Sequence, residues 1–130
     1  MADEIVLETW HRLVRTGDAA GLQGLLAEDV VFHSPVVHTP QRGRKLASWY
    51  LAAAFQVFFT HGFRYVREVV QGRNAVLEFE VEIDGILVNG VDMIAWNEDG
   101  RIVDFKVMLR PLKAINLIHH KMAQRLDESR

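Results

Sequence analysis

The spacing of apolar and polar residues changes from helical to alternating near residue 62. Before that point, apolar residues recur every three or four positions, which is typical of helices that bury one face. This spacing predicts two main helices, over residues 3–16 and 44–60. After it, apolar and polar residues alternate, which is typical of strands with one buried face. The alternation predicts four strands, over residues 63–70, 74–83, 86–96 and 101–109.

Shorter elements complete the N-terminal half. Gly17 ends the first helix, and Asp18 suits the N-cap of a second, short one. Its inward-facing residues are Leu22, Leu25 and Leu26. Residues 29–34 form a short strand that Pro35 ends, and a loop then leads to the long helix. In that helix the expected apolar stripe consists of Leu46, Trp49, Tyr50, Ala53, Ala54 and Val57.

Turns and a last helix complete the C-terminal half. Asp84 and Gly85 form the usual signal for a two-residue hairpin turn, and residues 97–100 mark the next turn. Pro111 opens a final helix, because proline is favoured in the first helical turn. The apolar stripe of this helix consists of Ile115, Ile118, Met122 and Leu126.

The order of these elements predicts one α+β domain over residues 1–130. We expect a curved antiparallel sheet that forms a cone, with the helices packed over its concave face. A cone closed by helices leaves room for a pocket of the kind that suits small molecules.

One charged residue shares a strand face with apolar neighbours. Successive side chains of a strand point to opposite sides, so every second residue between 86 and 96 shares a face. These residues are Ile86, Val88, Gly90, Asp92, Ile94 and Trp96. Burying a lone carboxylate is costly, so Asp92 must have a partner, hold a proton or meet a ligand. On the last strand Val103, Phe105, Val107 and Leu109 should share one face, and Ile102, Asp104, Lys106 and Met108 the other.

Composition argues against several classes of function. The formal net charge is −2 and no long run of Lys or Arg occurs, so we expect no binding to nucleic acid. The chain has no cysteine, which excludes disulfides, thiolate nucleophiles and cysteine-bound metals. The most apolar stretch, residues 49–59, is too short to span a bilayer, and no leader-like apolar run begins the chain. We therefore expect a cytoplasmic location and no membrane partner.

Several short motifs occur in a characteristic order. They are Gly17-Asp18, Glu28-Asp29, Gly43-Arg44, Val91-Asp92 and Asn97-Glu98-Asp99-Gly100-Arg101-Ile102. With the order of the elements, they make the chain resemble the nuclear-transport-factor-2-like superfamily, and within it the SnoaL-like polyketide cyclase and ketosteroid isomerase branch. The resemblance covers nearly the whole chain, and it implies a homodimer in addition to the cone-shaped fold of a cystatin-like α+β barrel.

The resemblance also implies roles for single residues. A ketosteroid isomerase would have its general base at Ser34, an oxyanion donor at Trp10 and a protonated aspartate at Asp92. Serine is not a base of comparable strength and an indole donates more weakly than a phenol, so we do not expect the isomerase mechanism. The SnoaL-like cyclases are similar in using an acid in an apolar pocket, which Asp92 fits. The Asp-Arg-Asp set of limonene-epoxide hydrolases is not evident, because Asp104 and Arg110 lie in the opposite strand phase.

These arguments define the candidate site. The candidate catalytic residues are Asp92, Ser34 and His33. The candidate ligand-binding residues are Trp10, His38, Tyr50, Phe79, Phe105, Val107 and Leu109. A Ser-His-Asp triad has no Gly-x-Ser-x-Gly elbow to support it, and alternation turns His33 away from Ser34. We expect no cofactor and no metal, because the chain has no His-Glu-x-x-His motif and the adjacent His119 and His120 point in different directions.

Three functions remain open at this point. The first is a cofactor-independent isomerase- or cyclase-like enzyme that performs acid–base chemistry on a small hydrophobic carbonyl compound, with Asp92 as acid or hydrogen-bond donor. The second is a protein that binds a small hydrophobic ligand without catalysis. The third is a structural dimer module whose pocket is filled by its own side chains. A homodimer is also favoured by an apolar patch expected on the outer sheet face, formed by Leu87, Val91, Met93 and Met108.

Overall fold

The computed structural model describes residues 2–59 and 62–128, apart from the side chain of Ala2. The helices are α1 (Ala2–Thr16), α2 (Leu22–Leu25), α3 (Arg44–Phe58) and α4 (Leu112–Glu128). The strands are β1 (Leu26–His33), β2 (Gln41–Arg42), β3 (Arg64–Gln71), β4 (Asn74–Ile83), β5 (Ile86–Trp96) and β6 (Ile102–Arg110). One turn of 3₁₀ helix, Ala19–Gly21, joins α1 to α2, with the Asp18 carboxylate capping it as expected.

The α+β prediction is confirmed, with six strands in one curved, open sheet. The strand order is β2-β1-β6-β5-β4-β3. All neighbours are antiparallel except β1 and β6, the first long strand and the last, which run parallel. The helices supply their apolar residues to a core that they share with the sheet face carrying Asp92.

The central hairpin follows the sequence pattern residue for residue. Strands β4 and β5 have the predicted bounds and pair in unbroken register from Asn74 opposite Ala95 to Ile83 opposite Ile86. The residues between them, Asp84 and Gly85, have φ angles of 51° and 79°. Two successive positive φ angles match a type I′ turn, whose twist suits a hairpin. The unbroken register fixes Asp92 on the inner face.

Other elements differ from their predicted positions. Strand β1 begins three residues before the predicted start, so Leu26 is a buried strand residue and not part of the short helix. The two-residue strand β2 was expected to be loop. In α3 the prediction is confirmed for Ala53 and Val57, which are buried, and was wrong for Leu46, which is exposed. The other buried residues of this helix are Ala47, Ser48, Leu51, Phe55 and Phe58. The predicted end of this helix, residue 60, lies outside the described residues.

A bulge changes the phase of β6. Ile102 lies opposite Trp96 while Asp104 lies opposite Ala95, so Val103 is one residue more than the pairing needs. Ile102 is therefore fully buried on the inner face, although alternation had placed it outside with Asp104. Beyond the bulge the expected phase returns, and Phe105 and Val107 point inward.

A glycine makes room for an aromatic ring next to Asp92. Gly90 lies opposite Phe79 in the β4–β5 pair, on the same face as Asp92. A Cβ atom at residue 90 would lie 2.5 Å from Cζ of Phe79 and 2.7 Å from a methyl carbon of Leu109. These distances are shorter than van der Waals contacts, so only glycine lets the Phe79 ring lie where it does.

The outer sheet face is partly apolar. Leu87 and Met108 are 56% and 49% exposed, and Val76 is 38% exposed. Val91 and Met93, which lie between them in the register, are half-buried. Over residues 2–59 and 62–128, no helix has the length and apolar character needed to cross a membrane.

Candidate functional site

Asp92 lies in the middle of the sheet. Its neighbours across the strands are Leu77 of β4 and Val107 of β6. Only 5% of its surface is exposed, and both neighbours are buried apolar residues. The position predicted from strand phase is confirmed, and the carboxyl group needs a polar partner there.

The partner is Tyr65 of β3, a residue that sequence reasoning missed. The Tyr65 hydroxyl donates a hydrogen bond of 2.6 Å to Oδ2 of Asp92. The indole N–H of Trp10, in α1, in turn donates to the Tyr65 hydroxyl oxygen over 2.9 Å. These bonds connect a helix, an edge strand and a central strand in the chain Trp10–Tyr65–Asp92.

This arrangement sets the protonation of both acids. Burial raises the pKa of Asp92 from 3.8 to about 7, and the hydrogen bond from Tyr65 opposes part of that rise. Burial, together with the charge of nearby Asp92, raises the pKa of Tyr65 well above its usual value of 10. At neutral pH Tyr65 is therefore a neutral donor, whereas Asp92 is present in both its acidic and its ionised form.

A small cavity adjoins Asp92. Its volume is about 30 Å³, enough for one or two water molecules. It is lined by Trp10, Leu51, Ala54, Phe55, Phe58, Phe59, Phe63, Phe79, Asp92, Phe105 and Val107. Seven of these eleven residues are aromatic and Asp92 is the one titratable group among them, so a ligand oxygen entering this space would meet a single carboxyl group.

A larger groove lies beside it, where β6 runs on beyond the end of β1. Its volume is about 680 Å³, and it is lined by His33, Ser34, Pro35, His38, Pro40, Lys106, Val107, Met108 and Leu109. The His33 Nε2 atom lies 2.9 Å from Oδ1 of Asp104, on the outer side of the sheet. The Ser34 hydroxyl accepts a hydrogen bond from the backbone N–H of Val36.

The predicted site residues thus divide between two spaces. Asp92, Trp10, Phe79, Phe105 and Val107 line the cavity. His33, Ser34, His38 and Leu109 line the groove, as does Val107. Tyr50 lines neither space, and its ring packs near Phe32 and Trp49. The structure therefore does not bring Ser34 or His33 to Asp92, and their catalytic roles stay predictions.

The N–H group of Trp10 is not oriented as expected for an oxyanion donor. Its ring lines the cavity, but its N–H group is directed at Tyr65. The signal for Tyr65 was weak, because β3 is an edge strand that is exposed along most of its length. Its pairing with Phe79 could have suggested the inner face, but an irregularity between Tyr65 and Arg67 interrupts the alternation.

Among the residues that the structure describes, no three His, Cys, Asp or Glu side chains lie close enough together to hold a metal ion. The lining of the cavity offers the chemistry of one carboxyl group, held by a phenol and surrounded by aromatic rings.

Comparison with known proteins identifies related chains. The family model for the SnoaL-like domain matches residues 7–105. The crystal structure of a steroid delta-isomerase from Pseudomonas aeruginosa is 37% identical with a TM-score of 0.94, over 99% of this chain and 94% of that one. A protein with a cystatin-like fold from Silicibacter pomeroyi is 34% identical with a TM-score of 0.85, over 92% of this chain and 84% of that one.

More distant structures share the fold alone. One is a protein from Jannaschia sp. provisionally assigned as a SnoaL-like polyketide cyclase, with a TM-score of 0.68 and 15% identity over 85% of this chain and 89% of that one. Among curated protein sequences no significant match was found. The resemblance identified from the sequence motifs is confirmed by the match to the SnoaL-like domain model and by the similarity to the steroid delta-isomerase structure.

Proposed function

The chain belongs to the SnoaL-like domain family, and from that premise we propose that it is a cofactor-independent isomerase- or cyclase-like enzyme. Its substrate would be a small hydrophobic compound with a carbonyl group. The observation that carries the proposal is the buried Asp92 carboxyl, which lines an aromatic cavity and accepts a hydrogen bond from Tyr65.

The proposed chemistry is proton transfer by Asp92. Asp92 would act without the separate base and oxyanion donor of a ketosteroid isomerase. In its ionised form the carboxylate itself would take a proton from the carbon next to the carbonyl, leaving an enolate. The resulting carboxylic acid would then return the proton to another carbon of the conjugated system, which moves the double bond. A pKa of about 7 suits both steps, because a general acid–base group works best when its pKa is near the working pH.

Tyr65 would hold Asp92 in place during these steps. Its hydroxyl donates to the ionised carboxylate, and its own raised pKa keeps it neutral. The present cavity of about 30 Å³ is far smaller than the roughly 300–1,000 Å³ of typical ligand pockets. Binding must therefore displace side chains of the cavity wall, so we expect substrate binding to require rearrangement of the aromatic residues.

A second candidate function is binding without catalysis. It is favoured by the cavity wall, in which no titratable group other than Asp92 occurs among the lining residues. Asp92 would then donate a hydrogen bond to the ligand oxygen and transfer no proton.

Exchange of carbon-bound protons separates the two candidates. Small cyclic ketones, from cyclohexanone to a steroid ketone, would be incubated with the protein in deuterated buffer and followed by proton NMR. An enzyme exchanges the protons next to the carbonyl for deuterium, and Asp92→Asn abolishes this exchange. Asp99→Asn, in an exposed turn, is the matched control and should leave it unchanged.

Each outcome has a clear reading. Ketone binding that depends on Asp92, with no exchange, selects the non-catalytic protein. Exchange at the same rate in wild type and Asp92→Asn contradicts the assigned role. If no ketone, lactone, steroid or polyketide shifts the melting temperature of the wild type, both candidates fail and a structural module remains.

We also propose that the protein is a homodimer through the outer sheet face. The support is the exposure of Leu87, Met108 and Val76 on one side of the sheet, with Val91 and Met93 between them. A second copy placed sheet against sheet would remove this apolar surface from water.

A further inference from the structure

The cavity and the groove differ more than twentyfold in volume. The cavity beside Asp92 measures about 30 Å³, and the groove measures about 680 Å³. The groove has the size of a ligand site but lacks the buried acid, whereas the cavity has the acid but not the size. Neither space alone has what a binding site for a carbonyl compound needs.

Val107 is the residue that the two spaces share. It lines both of them, and it lies directly opposite Asp92 in the β5–β6 pair. On its other side β6 has no strand neighbour, because the pairing with β1 ends where His33 meets Lys106. One residue, Val107, therefore separates the groove from Asp92.

One formal charge, the positive charge of Lys106, lies among the residues that line the groove. Lys106, His33 and His38 line it, and no Asp or Glu is among its lining residues. Asp104 is close, but its carboxylate contacts His33. Lys106 follows the outer phase of β6, but at the uncovered edge of this strand it lines the groove together with Val107 and Leu109. It forms no ion pair with any other described residue, so its ammonium group is available to an anionic ligand group.

We propose that the cavity and the groove are the two halves of one binding site, with Val107 as the partition between them. The ligand is then an elongated keto acid. Its apolar, carbonyl-bearing end lies against Asp92, and its carboxylate lies in the groove near Lys106 and His38. This inference rests on the proposed function, because it takes the Asp92 cavity as the place where the carbonyl binds.

Simple aryl ketones with and without a carboxylate test this assignment. The probes are acetophenone, benzoylpropionic acid, the longer benzoylpentanoic acid and the methyl esters of both acids. Binding to the whole chain is measured by isothermal titration calorimetry. We expect one of the two acids to bind roughly two- to fivefold more tightly than its methyl ester, the size expected for an exposed ion pair.

Two sets of variants locate the two ends of the ligand. Lys106→Gln should abolish the preference for acid over ester, whereas Lys113→Gln, an exposed lysine on α4, should retain it. Val107→Ala removes the partition and should tighten binding of both esters and acids, but change acetophenone binding less. Lys106 is exposed, so its substitution tests the proposal without endangering the fold.

Different measurements would contradict this inference and the proposed function. Equal affinity of acid and ester in the wild type overturns the inference, and so does a preference that survives Lys106→Gln. If acetophenone still binds and Asp92→Asn abolishes that binding, the proposed function stands. If none of the probes responds to Asp92→Asn, the proposed function fails and the inference fails with it.

Discussion

Tyr65 and Asp92 are joined by a hydrogen bond of 2.6 Å although a whole strand, β4, separates the strands on which they lie. Both side chains reach over the inner face, and the bond passes above the β4 residues between them. The phenol stabilises the ionised form of Asp92, while burial stabilises its protonated form. Together the two effects give Asp92 a pKa near neutrality. At neutral pH, a change in the hydrogen bond from Tyr65 therefore changes the fraction of Asp92 that is ionised.

Asp92 should make stability depend on pH. Its raised pKa means that the folded state binds this proton more tightly than the unfolded state. The stability due to the protonated group is therefore complete below pH 3.8, and it is lost as the pH rises through about 7. A shift of this size corresponds to a loss on the order of 4 kcal/mol.

Asp92→Asn should remove this dependence, because the amide stays neutral and can still accept from Tyr65. We expect the variant to be more stable than the wild type at pH 8, with the difference shrinking towards pH 5. Urea unfolding at both pH values measures it. Stability differences that do not change with pH would show that Asp92 titrates at its ordinary pKa.

Tyr65→Phe should destabilise the protein by about 1–3 kcal/mol, because the buried N–H of Trp10 loses its acceptor. It should also raise the pKa of Asp92 further, since the lost hydrogen bond favoured the ionised form. A carboxyl carbon-13 NMR titration measures the pKa. Tyr50→Phe is the matched control, because its ring packs against Phe32 outside the cavity. A pKa that stays unchanged in Tyr65→Phe would contradict the role given to this hydrogen bond.

Gly90→Ala should cost about 1–3 kcal/mol, the usual range for overpacking a core. The added methyl group would collide with Phe79 and Leu109, and displacement of the Phe79 ring would change the shape of the cavity that it lines. Gly24→Ala is the control, because a Cβ atom there meets nothing within 4 Å. Thermal unfolding compares the two. Equal stability of the two variants would show that Phe79 and Leu109 can move aside without lowering the free energy of unfolding.

The proposed dimer predicts a mass in solution of twice the chain mass of 14.9 kDa. Met108→Glu places a charge in the apolar patch of the outer face, directly opposite Val91, and should yield monomers. Leu112→Glu, at an exposed position on α4, should leave the dimer intact. Analytical ultracentrifugation at micromolar concentration distinguishes the two states. A monomeric wild type under these conditions would disprove the dimer.

The sequence predicted those parts of the fold in which a local pattern decides the structure. Strands β4 and β5 alternate without interruption and pair without a bulge, so the inward position of Asp92 follows from counting residues. In β6 and β3 an extra residue shifts the phase, and alternation misplaced Ile102 and gave no reason to choose Tyr65. A bulge depends on the partner strand, which the local pattern does not contain.

The division of the candidate site also lay beyond the sequence. Strand phase placed Val107 and Asp92 on the same face, and that is where they are. It could not show that the loop after His33 leaves the edge of β6 uncovered, because this depends on where β1 ends against β6. Nor could it give the volume of the cavity, which is fixed by the packing of rings from α1, α3, β4 and β6.

The parallel pairing of β1 with β6 has a consequence for how the chain folds during synthesis. Val30 and Phe32 of β1 are buried in the finished protein, but the strand that pairs beside them is made some seventy residues later. The hairpins between residues 64 and 110 can form as soon as they leave the ribosome, since their partners are adjacent in sequence. The N-terminal part must wait with its apolar side exposed, so we expect nascent chains that stop before β6 to be those that chaperones hold.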